Sequence, residues 1–209
     1  IEEQVKEYLK GFPPDGSIKG CAIGVEGDSF ERFKALDKVG CKLFCIDTAN
    51  GAHIKVKKMI ERISNSYISI MAGNVASSQC YEWLQQFDRV KFIRVGIAGG
   101  TSCTTKNATG VSRGMLSCVA ECAKVKKNTV LIADGGIKEP SDMCKAIAFG
   151  ADMVMLGGVL AAATDSPAET LDKDGALYKI YRGSASFEVQ KEYREKPRYI
   201  EGKTSLLKC

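Results

Sequence analysis

Histidine is almost missing from this chain: His53 is the single one among 209 residues. Protein zinc sites draw on cysteine and histidine in close sets. Cys118 and Cys122 stand four apart on a predicted helix. With His53 far away in the sequence they form no zinc set, and His53 itself reads as a surface or turn residue. Long apolar runs are absent too. No stretch approaches the roughly 18–20 residues of a membrane-spanning helix, and no charged-then-apolar leader opens the sequence at Ile1. Concentrated charge is lacking: the net charge is +5, with no basic run before the tail. Neither a membrane nor nucleic acid is expected as a partner.

What is present is ordinary for a soluble globular domain, with 44% hydrophobic and 26% charged residues. Cysteine is the exception. The nine cysteines are odd in number and scattered without framework spacing. That pattern fits a reducing compartment better than a secreted disulfide scaffold, and a cytoplasmic location is expected.

Short apolar runs recur along the chain: "IKGCAIGV" from Ile18, "KLFCID" from Lys42, "ISIMAG" from Ile68, "KFIRVG" from Lys91, "VLIADGG" from Val130 and "ADMVMLGG" from Ala151. Each ends near Gly, Asp or Asn, as strands buried on both faces do. Helical patterns separate them, over Asp28–Val39, Ile54–Ile63, Ser77–Phe87, Met115–Lys126 and Ser141–Phe149, with Asp28, Ser77 and Ser141 as caps. Alternating strand and helix predicts a parallel sheet. Glycine and polar residues follow nearly every strand rather than the first alone. Loops at the carboxyl ends of many strands converge in a barrel, so the expected fold is an α/β (β/α)8 TIM barrel. About six of its eight units lie in this chain, as one catalytic domain over 1–209. A complete barrel would need two further amino-terminal strands, which are expected to lie outside this sequence, as is a carboxyl-terminal helix. An open six-stranded sheet is the alternative.

One stretch poses a chemical question. "RVGIAGGTSCTTKNATG", from Arg94, carries three glycines in five residues and then Cys103, flanked by hydroxyl residues. A thiol in such a loop, where backbone amides converge, suits a nucleophile beside an anion site. "ADGGI" and "MLGG" place paired glycines at two later strand ends, where the backbone can approach a phosphate closely. Asp134 and Asp47 end strands, where a carboxylate can accept bonds from sugar hydroxyls or cap a helix. Nothing physical singles out Glu201.

Together, "DTANG", "MAGNV", "GIAGGTSCTTKNATGV", "ADGGIKEPSDMCKAIAFGADMVMLGG", "YRGSAS" and "EGKT" resemble the inosine monophosphate dehydrogenase and guanosine monophosphate reductase family, in order and over nearly the whole chain. Dehydrogenases of this family carry an Arg-Tyr pair on a long flap ahead of the glutamate motif. Here Arg198-Tyr199 directly precedes Ile200-Glu201-Gly202, which resembles the reductase branch. The resemblance implies NADPH-dependent reductive deamination of GMP to IMP and ammonia, with IMP oxidation by NAD or a divergent purine-nucleotide barrel without this activity as alternatives.

It also implies roles. Cys103 is the nucleophile; Thr105 and Glu201 relay a proton. Thr101, Gly135, Gly136, Gly157 and Gly158 cradle the phosphate, and Asp134 binds the ribose. Gly183, Ser184, Ser186 and Arg198 lie near the purine. Asp47, Asn74 and Thr104 face the nicotinamide cofactor. Backbone carbonyls of Ala98, Gly100 and Cys103 hold a monovalent cation such as potassium, and the protein assembles as a homo-oligomer, a tetramer in relatives. Four positions depart from the family pattern: Ala98 replaces a glycine, Gly99 a proline or serine, Thr101 a serine and Ser184 a methionine.

Overall fold

The computed structural model describes residues 1–10, 17–64, 67–193, 196–197 and 200–209. These cluster into two compact units: residues 1–95 with 121–132, and residues 96–120 with 133–209.

The first unit opens with α1 (Glu2–Leu9) and then alternates strand and helix: β1 (Cys21–Ile23), α2 (Ser29–Lys38), β2 (Leu43–Asp47), α3 (Ile54–Ile63), β3 (Ser69–Val75), α4 (Ser78–Leu84) and β4 (Val90–Val95). The strands pair in parallel and in sequence, with Cys21 opposite Phe44, Phe44 opposite Ile70, and Gly73 opposite Arg94. Phe33, Leu36, Phe44, Ile46, Ile60, Ile70, Tyr81, Leu84 and Ile93 form the buried core. β2 buries alternate positions, Phe44 and Ile46, and β3 buries Ile70, Ala72, Gly73 and Val75; Leu43, Cys45, Ser69 and Met71 keep partial exposure. Burial on both faces, as the sequence predicts, is therefore incomplete here.

The helix starts follow side-chain chemistry. Ser77 accepts the Cys80 amide at the head of α4. His53 caps α3 by accepting the Lys55 amide on Nδ1 at 3.1 Å, so this lone histidine has a structural task. Asp28 stands at the head of α2 but spends its carboxylate on Arg32.

The second unit carries α5 (Thr105–Thr109). It then holds the start of α6 (Met115–Val125), the end of β5 (Val130–Asp134), α7 (Pro140–Ala148), β6 (Met153–Met155) and α8 (Gly158–Ala161). The strand order β1-β2-β3-β4-β5-β6 is sequential; β5 belongs to the first unit at its start and to the second at its end. The predicted Ser141 cap is corrected. Proline has no amide to leave unsatisfied in a first turn, so α7 begins at Pro140. Asp142 accepts the Lys138 and Glu139 amides at 3.0 and 3.2 Å.

Beyond β6 the pattern changes. β7 (Thr170–Lys173), β8 (Ala176–Arg182) and β9 (Thr204–Lys208) form an antiparallel sheet, with α9 (Phe187–Tyr193) between its last two strands. Lys179 is buried in β8, and its ammonium donates to the Ser166 and Ala168 carbonyls and the Thr170 hydroxyl. Among the described residues no helix is long and apolar enough to cross a membrane.

Candidate functional site

Cys103 lies in the loop that leaves β4, in the second unit. Its amide donates to the Gly100 carbonyl at 3.1 Å, closing a tight turn, and its backbone bridges to Gly202 in antiparallel fashion. The partly buried thiol donates to the Thr105 hydroxyl at 3.2 Å, and Thr105 donates to Glu201 Oε2 at 2.6 Å. The Glu201 carbonyl accepts the Thr104 amide at 2.8 Å, and the Glu201 amide donates to the Ala185 carbonyl at 3.1 Å. Both ends of Glu201 are thus tied before its carboxylate reaches Thr105. A thiol, a hydroxyl and a carboxylate stand in hydrogen-bonded series, with a proton path running outward from sulfur.

Around this centre the glycines set the spacing. Gly135 has φ +100°, and a side chain there would meet the Gly100 amide nitrogen at 2.9 Å. Only glycine lets the β5 turn lie against the Cys103 loop. A methyl on Gly157 would meet the Tyr181 hydroxyl at 2.9 Å, and one on Gly158 would meet Thr101 Oγ1 at 3.5 Å. Two hydroxyls therefore converge on the glycine pair that opens α8. Tyr181 is a residue the sequence reading missed; its place at the head of "YRGSAS" was the available signal. Gly183 packs against Ser102 and donates to the Lys203 carbonyl at 3.1 Å. Ser184 is exposed, whereas Ser186 is buried and its hydroxyl accepts the Val189 amide inside α9.

Asp134 ends β5, partly buried. The N-cap of the helix that follows is Glu139. Gly136 is exposed beyond it, at φ +76°. Ala98 adopts φ +62°, a left-handed conformation unfavourable for a residue with a β-carbon. Of the carbonyls expected to face a cation, that of Gly100 already accepts the Cys103 amide.

Asp47 and Asn74 lie in the first unit, at the carboxyl end of β2 and late in β3. Asp47 is half exposed and pairs with the buried Arg94, a second residue the sequence reading passed over. The Asn74 amide donates to the Thr48 carbonyl at 3.0 Å. Arg198 falls outside the described residues.

A parallel α/β domain whose strand-end loops present a thiol–hydroxyl–carboxylate series among close-packed glycines defines the class. The chain belongs to the IMP dehydrogenase / GMP reductase family, whose domain matches residues 15–208. It is 36% identical over 208 residues to the GMP reductase of Clostridium acetobutylicum, covering 96% of this chain and 62% of that protein. It is 37% identical over 177 residues to the inosine-5'-monophosphate dehydrogenase of Chlorobaculum parvum, covering 83% of this chain and 36% of that protein. The crystal structure of a GMP reductase from Trypanosoma brucei, in complex with guanosine 5'-monophosphate, superposes with a TM-score of 0.85 at 31% identity. That match covers 92% of this chain and 42% of the other. The chain therefore spans from about a third to under two thirds of these relatives' length. Both activities named among the relatives are oxidoreductions on purine nucleotides.

Proposed function

We propose that this chain is the catalytic part of a GMP reductase, converting GMP to IMP and ammonia with NADPH, and built as part of a (β/α)8 barrel. The observation that carries the reading is the series Cys103–Thr105–Glu201, linked at 3.2 and 2.6 Å. The purine C2 amino group is a poor leaving group, and covalent catalysis divides its departure into easier steps. Cys103 Sγ attacks C2 and gives its proton through Thr105 to Glu201. The carbon–sulfur bond forms, the C2–N bond breaks, and the amino group leaves as ammonia with the proton Glu201 returns. NADPH, when bound, supplies the hydride that C2 then needs. Cys103 departs as the thiolate and IMP is released.

In this reading Thr101, Gly135, Gly136, Gly157, Gly158 and Tyr181 hold the phosphate, and Asp134 holds the ribose. Gly183, Ser184, Ser186 and Arg198 border the base. Asp47, Asn74 and Thr104 serve the cofactor. A half-exposed carboxylate held by Arg94 and an amide on the neighbouring strand suit the hydroxyls and carboxamide of a nicotinamide nucleoside. A monovalent cation on the carbonyls of Ala98, Gly100 and Cys103, and assembly into a homo-oligomer, complete the proposal.

The dehydrogenase reading is favoured by one observation, the 37% identity to dehydrogenases. Against it stands the immediate succession of Arg198-Tyr199 and Glu201. Absorbance at 340 nm separates the two. The expected result is loss of NADPH with GMP and no NADH formed from IMP and NAD. The reverse result overturns the reductase reading in favour of the dehydrogenase.

A further inference from the structure

α9 follows the "YRGSAS" turn directly and carries Glu188 and Glu192 one helical turn apart, so both side chains project from the same face. Across from them stand Arg182 and Thr204, paired in register where β8 ends and β9 begins. Thr204 donates its hydroxyl hydrogen to Glu188 Oε2 at 3.0 Å, and Arg182 forms an ion pair with Glu192. The two carboxylates thus hold the two members of one cross-strand pair. Thr204 lies three residues beyond Glu201.

We propose that Glu188 and Glu192 are positioning residues that fix the start of β9 and thereby hold Glu201 on Thr105. The proposal rests on the reductase reading for its catalytic consequence, but its structural half stands apart. A segment displaced by an ångström disrupts proton transfer far more than it disrupts ligand binding. Each tie is exposed and individually weak; Arg182 and Glu192 are 44% and 45% exposed. Their effect therefore comes from acting together at one end of a strand. The Glu188 carboxyl is held below the usual carboxylate range, first by its own amide and then by the Thr204 hydroxyl, so it is a charged acceptor at neutral pH.

The experiment measures two things on the same variants. Amide hydrogen exchange follows the Thr104 and Glu201 N–H groups, which bond to Glu201 and Ala185. Steady-state kinetics separates kcat from the KM for GMP. Glu188→Ala is expected to lower kcat about threefold, and the Glu188→Ala/Glu192→Ala pair about tenfold, with KM within twofold. Exchange at Thr104 should quicken in parallel. Glu188→Gln, which still accepts from Thr204, should restore both. Thr204→Val removes the same bond without touching α9, and it keeps the test open if the helix variants fold poorly. Unchanged exchange in the double variant and in Thr204→Val overturns the proposal, as does quickened exchange with an unchanged kcat. A parent protein inactive on GMP but showing the exchange response sinks the reductase reading and leaves the positioning role standing.

Discussion

Thr105 donates its hydroxyl hydrogen to Glu201 at 2.6 Å across 96 residues of chain. Neither residue stands out alone, yet the hydroxyl also accepts from the Cys103 thiol. A carboxylate at the end of such a series serves the step that moves a proton. Glu201→Gln should therefore reduce GMP-dependent NADPH oxidation by about 100- to 10,000-fold, the usual share of a general acid or base. Hydride transfer between NADP and bound IMP should suffer much less. Equal losses in both would remove Glu201 from the ammonia step.

Cys103→Ala should abolish turnover and leave GMP binding in place, because the proposed holding groups are Asp134, the glycine amides and two hydroxyls. Calorimetry with GMP alongside the 340 nm assay decides this. Turnover near the parent rate in the alanine variant would withdraw the covalent mechanism.

Ala98 sits at φ +62° in the loop that carries Cys103. The left-handed conformation costs a residue with a β-carbon about 1–2 kcal/mol, and glycine returns part of the gain as chain entropy, about 0.5–1 kcal/mol. Ala98→Gly should stabilise the fold by roughly 0.5–1 kcal/mol, read as a Tm rise of about 1–4 °C. A lower Tm would count against the conformation.

Ser102, next to the nucleophile, is 5% exposed, and among the described residues its hydroxyl has no hydrogen-bond partner. An unsatisfied buried hydroxyl costs about 1–3 kcal/mol, so Ser102→Ala should raise the urea midpoint without changing the slope. A lower midpoint would mean that the hydroxyl is satisfied in solution.

Cys21 is buried in β1. Burial first, and then the neighbouring Cys41 thiol, push its thiol from 9.0 up to about 12. The folded protein keeps this proton where the unfolded chain loses it. Stability from this group is therefore full below pH 9 and is lost as pH rises toward 12. Urea unfolding between pH 8 and 10.5 should show a steeper decline in the parent than in Cys21→Ala. Parallel declines would assign the alkaline loss elsewhere.

The parallel half of the fold is legible because its strands are continuous apolar runs. Ile70, Ala72 and Ile93 are fully buried and read as such. The antiparallel strands are not legible. β9, "TSLLK", alternates exposed and half-buried positions, and β7, "TLDK", has a single partly buried apolar residue. The Cys103 loop announces itself through its glycines, whereas Glu201 gains meaning only from tertiary contact. Local pattern carries no record of a partner 96 residues away, and only the family resemblance pointed to it. Ser141 misled because a serine beside a proline looks like a cap, while the backbone constraint of Pro140 sets the helix start one residue earlier.

Gly202 is bridged on one side to Cys103 and on the other to Ser186, and a methyl group on it would meet the Ser186 amide nitrogen at 2.8 Å. With no side chain between them, a shift of the 183–186 turn passes from backbone to backbone into the segment that carries the thiol. Sulfur is thereby a gauge of what fills that turn: its alkylation rate should change when a base-like ligand settles there. Because such coupling is reciprocal, capping the sulfur should change how firmly the turn grips the ligand.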